Sequence, residues 1–348
     1  MKHVKISAVF IPFLMVGCLE IETLTRIHPD GSIERVLDLK GSTEAIFETS
    51  FNIPRADVSL WEVSLDSIGD EKHLYHATRT FNTVAELNQS FEMNTGPLRF
   101  KAKSELTQSQ GLFFSRYFYT EKLWVDLPGP KLSMEGFLSE SELQKLIISE
   151  SDESDVDSLE AQRLEDQFDR YLEQRIFEDF VNELRLGALQ TGKADELETV
   201  IAANRDSLII KLGTTNYYNE NEVWQTIMGA YFEASPSLLD DIHEKNSSGF
   251  EGFYQRWGFF EEVLINDYSF SIEMPGVIRK TSAIDVRGNR MNWEPNVIEL
   301  FFGGATLEAE SSVVKVWPLL FTGVLFLLTL MVSVASFVRQ RKASGLIP

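Results

Sequence analysis

Leu19–Gly41 reads LEIETLTRIHPDGSIERVLDLKG. Ile21, Thr23, Thr25 and Ile27 alternate with their neighbours, so an extended backbone places all four on one face. His28-Pro29-Asp30-Gly31 then turns the chain, because Pro29 presets φ and Gly31 tolerates positive φ. SIERVLDLKG returns. The pattern predicts an antiparallel hairpin at the head of the folded chain, and the rest of the sequence is read outward from it.

Immediately upstream stands Cys18, the single cysteine of the 348 residues. It ends the tetrapeptide Met15-Val16-Gly17-Cys18, which closes a short apolar run preceded by Lys2 and Lys5. A positive segment, an apolar stretch and small residues before a cut site read as a secretory signal. A cysteine just after the cut resembles the lipobox of bacterial lipoproteins, whose thiol takes a diacylglycerol, with palmitate as its expected acyl group. Residues 1–17 are therefore expected to be a signal peptide and Cys18 the lipidated first residue.

Downstream, strands are expected at DVSLWEVS and KHLYHATRTF. Thr83 and Glu86 have the spacing of a capping box for a short helix. LRFKAKSEL and LFFSRYFYT form a second hairpin joined across TQSQG. From Ser139 to Leu264 the character changes. Ser139-Glu140-Ser141-Glu142 is another capping box. Leu164, Phe168, Tyr171, Leu172, Phe177, Phe180, Val181 and Leu184 then recur at amphipathic-helix spacing, with Gly187 or Gly192 as the stop. Shorter helices fit ADELETVIAANRD, NEVWQTIMGAYF, SPSLLDDIHEK and FEGFYQRWGFFEEVL. After Asn266 strands resume at YSFSIEMPG, SAIDVRGNRMNWEPN and IELFFGGATLEAES. Three short strands are too few to bury both faces, so they are expected to join the N-terminal strands in one antiparallel sheet.

The expected fold class is thus α+β: an N-terminal α+β part over 18–138, a helical insertion over 139–264, and a C-terminal β part over 265–312. A strand ending in Pro275-Gly276, a hairpin with Gly288 at its turn, Trp293 soon after, and a strand with Ala309 and Ser311 before an apolar span together resemble the LppM-type domain of bacterial lipoproteins. The lipobox and the hairpin carrying Asp30-Gly31 resemble that family's start. The resemblance covers roughly the first 120 and last 85 residues, and the helical block departs from it. It implies an envelope-exposed lipoprotein and supplies no catalytic residue.

Val316–Val338 reads VWPLLFTGVLFLLTLMVSVASFV, uncharged and long enough to cross about 30 Å of hydrocarbon. Trp317 suits the membrane interface. Arg339, Arg341 and Lys342 follow, and the positive-inside rule places residues 339–348 in the cytoplasm. Everything between the two ends then lies outside, on the periplasmic side of the inner membrane in a Gram-negative host. The net charge of −21 becomes −26 once Lys2, Lys5, Arg339, Arg341 and Lys342 are set aside. Such a field disfavours nucleic acid as a partner.

Chemistry-bearing motifs are sparse. His73 and His76, three apart on a strand, face opposite sides and make a poor metal pair. Asp152, Glu153, Asp155 and Asp157 lack the glycine and final glutamate of a calcium loop, and an acidic helix start explains them better. The two glycines of FFGGATLE fit a bulge or a close backbone approach. The expected protein is a non-enzymatic, membrane-anchored envelope lipoprotein without cofactor or metal, binding a protein or cell-wall partner. A carrier or sensor of a lipid or other hydrophobic ligand is the alternative, and a hydrolase with dispersed carboxylates a second one.

Overall fold

The computed structural model describes residues 19–47, 53–54, 60–69, 72–92, 100–126, 129–149, 157–214 and 236–343. Its strands are β1 (Glu20–Ile27), β2 (Ile33–Gly41), β3 (Glu62–Ser67), β4 (His73–Phe81), β5 (Phe100–Gln110), β6 (Phe114–Val125), β7 (Asp267–Glu273), β8 (Val277–Thr281), β9 (Asp285–Arg287), β10 (Arg290–Trp293) and β11 (Ala305–Val314). The chain is mixed α+β, as its patterning indicates.

The expected single antiparallel sheet is instead two sheets. Among the described residues, one is ordered β3-β4-β2-β1-β7-β10-β9 and the other β5-β6-β11-β8. Each draws strands from both sides of the helical segment. Glu20 to Arg26 of β1 pair with Asp267 to Glu273 of β7, and Ala305 to Val314 of β11 pair with β6 from Leu123 back to Phe114. The β1–β7 ladder is parallel. A tight turn would force antiparallel pairing, whereas the long connection between these strands lets the chain re-enter at the same end. Strand β8, reading VIRKT, lies outside the expected strands. It edges its sheet with Arg279 and Lys280 exposed, a charged edge that discourages further pairing.

The two sheets face each other. Strand β1 buries Ile21, Thr23, Thr25 and Ile27, the face read from its alternation, and β6 buries Ser115, Tyr117, Tyr119, Glu121, Leu123 and Val125. The Tyr117 hydroxyl donates to the Pro29 carbonyl at 2.8 Å across the gap.

The helices are α1 (Thr43–Phe47), α2 (Val84–Glu92), α3 (Glu140–Ser149), α4 (Ser158–Thr191), α5 (Ala194–Gly213), α6 (Pro236–Lys245), α7 (Ser247–Ile265), α8 (Val297–Phe302) and α9 (Val316–Ala343). The Ser139 capping box forms in full, with Glu142 accepting the Ser139 N–H at 3.0 Å and Ser139 Oγ the Glu142 N–H at 3.4 Å, whereas at α2 Thr83 Oγ1 accepts the Glu86 N–H at 3.2 Å and the Glu86 carboxylate turns to the Asn82 N–H. Asp157 caps α4, taking the Leu159 N–H at 3.2 Å, and Gly192 ends it with φ 72°. The segment NEVWQTIMGAYF lies outside the described residues.

IELFF forms α8 rather than a strand. Asn296 accepts the Ile298 N–H at 2.7 Å, a cap that a short apolar run does not announce. Gly304 follows with φ 78°, and a Cβ there would stand 2.8 Å from the Leu123 carbonyl, so this glycine serves a close approach. Helix α8 seats the helical block on the sheets: the Phe260 and Phe301 rings are 4.8 Å apart, and Phe168 and Phe302 5.5 Å. Within the block, Phe180 of α4 meets Phe250 and Phe253 of α7.

Candidate functional site

Four turns gather where α9 leaves the sheets. In the β1–β2 turn Gly31 has φ 90°, and Asp30 accepts the Ser32 hydroxyl at 2.7 Å and its N–H at 3.0 Å. Those bonds hold the Asp30 carboxyl below its ordinary range. In the β7–β8 turn Pro275 is buried and Gly276 has φ 82°. A Cβ on Gly276 would sit 2.3 Å from the Ser312 carbonyl, so only glycine lets β8 enter beside β11. The β9–β10 turn has Gly288 at φ 68°, and the Met274 N–H donates to the Asn289 carbonyl at 3.0 Å.

The fourth turn is the β5–β6 tip. The Gly111 N–H donates to the Phe114 carbonyl at 2.8 Å. The Lys315 N–H donates to Phe113 at 2.8 Å, and its ammonium to the Gly111 carbonyl at 3.1 Å and Gln110 Oε1 at 3.3 Å. The tip is thereby fastened to the residue that precedes α9. TQSQG, the expected connector, is not the turn: β5 runs through Gln110, and the apolar residues Leu112 and Phe113 make the turn. The polar strand end hid this, since neither face of it is buried.

Asp30, Gly31, Pro275, Gly276, Gly288 and Trp317 therefore share one end of the molecule. Trp293 does not belong to it. It pairs with Phe270, is 5% exposed, and donates its Nε1–H to Ser282 at 3.1 Å, as a core residue does. Arg339 is exposed on the last turns of α9, and the side chains of Arg341 and Lys342 lie outside the described residues. So do residues 1–17 and Cys18. Leu19, the next residue, sits at the opposite end of β1. It is 2% exposed, donates its N–H to Asn266 Oδ1 at 2.9 Å and accepts the Asp267 N–H at 3.2 Å.

The interior holds two ionic networks. Between the sheets, Arg35 donates to Glu121 Oε2 at 2.8 Å and to Thr25 at 2.5 Å. The Tyr119 hydroxyl stands 2.8 Å from the same carboxylate oxygen and 3.0 Å from Ser104. Burial raises the Tyr119 hydroxyl well above its ordinary value, and the Glu121 charge raises it further. Burial alone would lower Arg35, but Glu121 outweighs it and the guanidinium is held up. Among the described residues Glu121 Oε1 has no hydrogen-bond partner. In the helical block, Asp179 accepts from Arg256 at 3.0 Å and from the Trp257 indole at 2.9 Å, while Arg256 also reaches Glu183 at 3.2 Å. Burial pushes the Asp179 carboxyl up against the opposing pull of Arg256. Both networks tie elements together.

A polar groove of about 410 Å³ opens on the outer face of the larger sheet, lined by Glu34, Glu62, Thr78, Arg79, Thr80 and Glu86 among others. Two of its carboxylates are engaged: Glu34 pairs with Arg26, and Glu86 takes the Asn82 N–H at 2.9 Å and Arg79 at 3.3 Å. His73 meets Thr43 at 3.2 Å and His76 meets Asp38 at 2.6 Å. Among the described residues no group of three or more His, Cys, Asp or Glu is placed to hold a metal.

No family model matches the chain, and no curated protein matches it. A solved structure with detectable similarity is the NMR structure of the folded domain of LppM from Mycobacterium tuberculosis, at 9% identity and a TM-score of 0.30, covering 88% of this chain and 95% of that one. A score this low does not establish a common fold.

Proposed function

We propose that this chain is a membrane-anchored envelope protein that acts by binding, without catalysis. The observation that carries the proposal is α9. Val316–Phe337 gives 22 residues long and apolar enough to cross a membrane, and the described apolar side chains of this span project into open space. A helix with apolar residues on every side has no use in water. Trp317 at its start and Arg339, Arg341 and Lys342 at its end orient it with the C-terminus in the cytoplasm. The acidic sheets and helical block then lie on the outer face, where a protein or cell-wall partner is met. Cys18 fits an acyl anchor in the same proposal. The seam that a carrier of hydrophobic ligands would open is occupied where it is described, with Phe260 on Phe301 and Phe168 on Phe302.

The test is a reporter pair fused after Pro348. A reporter active only in the cytoplasm should work, and one active only after export should be silent. The reverse pattern overturns the orientation and the envelope-facing role.

A further inference from the structure

We propose that the β5–β6 tip is a second membrane contact, dipping Leu112, Phe113 and Phe114 into the headgroup–acyl boundary of the bilayer that α9 crosses. The inference rests on the membrane-spanning reading of α9. Leu112 is 71% exposed and Phe114 43% exposed, although turns of soluble proteins carry polar residues. What the tip faces is fixed by its fastening: Lys315, bonded to Phe113, Gly111 and Gln110, is the residue before the span begins. The tip therefore stands within one residue of the entry point, level with Trp317, which is 82% exposed.

Charge agrees with the placement. In a chain of net charge −21 this end carries Arg26, Arg116, Arg279, Arg287, Arg290 and Lys315 against Asp30, Glu34, Glu273 and Asp285, of which Glu34 and Glu273 pair with Arg26 and Asp285 with Arg287. Arg116 pairs with Ser312 across the β6–β11 ladder, and Arg279 donates to the Ser312 hydroxyl at 2.7 Å. Both arginines are exposed. Apolar residues that enter the boundary, ringed by cations at headgroup level, are how interfacial segments bind anionic lipid. The β5–β6 hairpin becomes a stabiliser that fixes the tilt of the folded part against α9.

The experiment uses the full chain carrying Cys18→Ser, reconstituted in vesicles of phosphatidylcholine with phosphatidylglycerol. One environment-sensitive NBD label is attached in turn to Leu112→Cys, Ser67→Cys or Leu327→Cys. Ser67 lies on β3 at the end remote from α9, and Leu327 at the middle of the span. The label at 112 should shift its emission to the blue and lose intensity to nitroxides placed just below the headgroups, the label at 67 should do neither, and the label at 327 should be quenched by deep nitroxides. A quenched 327 with an unshifted, unquenched 112 overturns the tip contact alone. An unquenched 327 overturns the membrane-spanning reading and the tip contact with it. Equal quenching at 112 in vesicles lacking phosphatidylglycerol overturns the role given to Arg116 and Arg279.

Discussion

Arg35 and Glu121 show what a single residue pair does here. Their side chains are 7% and 1% exposed and meet at 2.8 Å between the two sheets. Desolvating both charges offsets most of their attraction, so the pair adds little net stability, but either partner left alone is a buried, unmatched charge. Arg35→Met should therefore lower unfolding stability by about 3–5 kcal/mol, while Arg35→Met with Glu121→Leu should return it close to the parent value. Urea unfolding of the full chain in detergent measures both, and a double variant as weak as the single one would refute this account. Nothing in the sequence couples these residues, which stand 86 positions apart. The turn glycines were legible because positive φ is a local demand at Gly31, Gly276 and Gly288; the close approach of Ser312 to Gly276 is a second demand that no turn signal announces.

Among the elements, α4 is the spine of the helical block, and its acidic face carries a pH dependence. Burial, with Glu173, Asp166 and Glu165 nearby, pushes the Asp169 carboxyl up to about 7. In the unfolded chain it releases its proton near pH 4. The folded state thus holds the proton more tightly across that window, and stability falls as pH rises from about 4 to about 7. Asp169→Asn should remove this loss, raising stability at pH 8 by about 1–2 kcal/mol after allowance for solvent screening and leaving it unchanged near pH 4. Guanidinium unfolding at the two pH values decides it, and equal stabilities at pH 8 would count against the effect. Helix ends were readable because caps act within four residues, as Ser139, Asp157 and Gly192 do. Strand pairing was not, because β1 with β7 and β6 with β11 are joined across the whole helical block. Alternation names a buried face without naming the partner that covers it.

At the scale of the molecule the two expected anchors lie at opposite ends of β1, about 26 Å apart at the usual rise of a strand. One leaflet of hydrocarbon is only about 15 Å deep. An acylated Cys18 and α9 can hold the same bilayer only if the strands recline toward its surface. Cys18→Ser should abolish labelling by a palmitate analogue and leave a slower-migrating precursor, with the protein still in the membrane fraction through α9. Unchanged labelling would end the lipoprotein reading. The position of Leu19 also orders events in time. Its N–H waits for Asn266, 247 residues later, an interval of about 12–50 s at ordinary synthesis rates of roughly 5–20 residues per second. Until then β1 has β2 on one side only, with Glu20 opposite Lys40, and afterwards β7 closes the other side. If Cys18 is the residue that is acylated, an enzyme acting within that interval meets a strand covered on one side, and one acting later meets a strand covered on both.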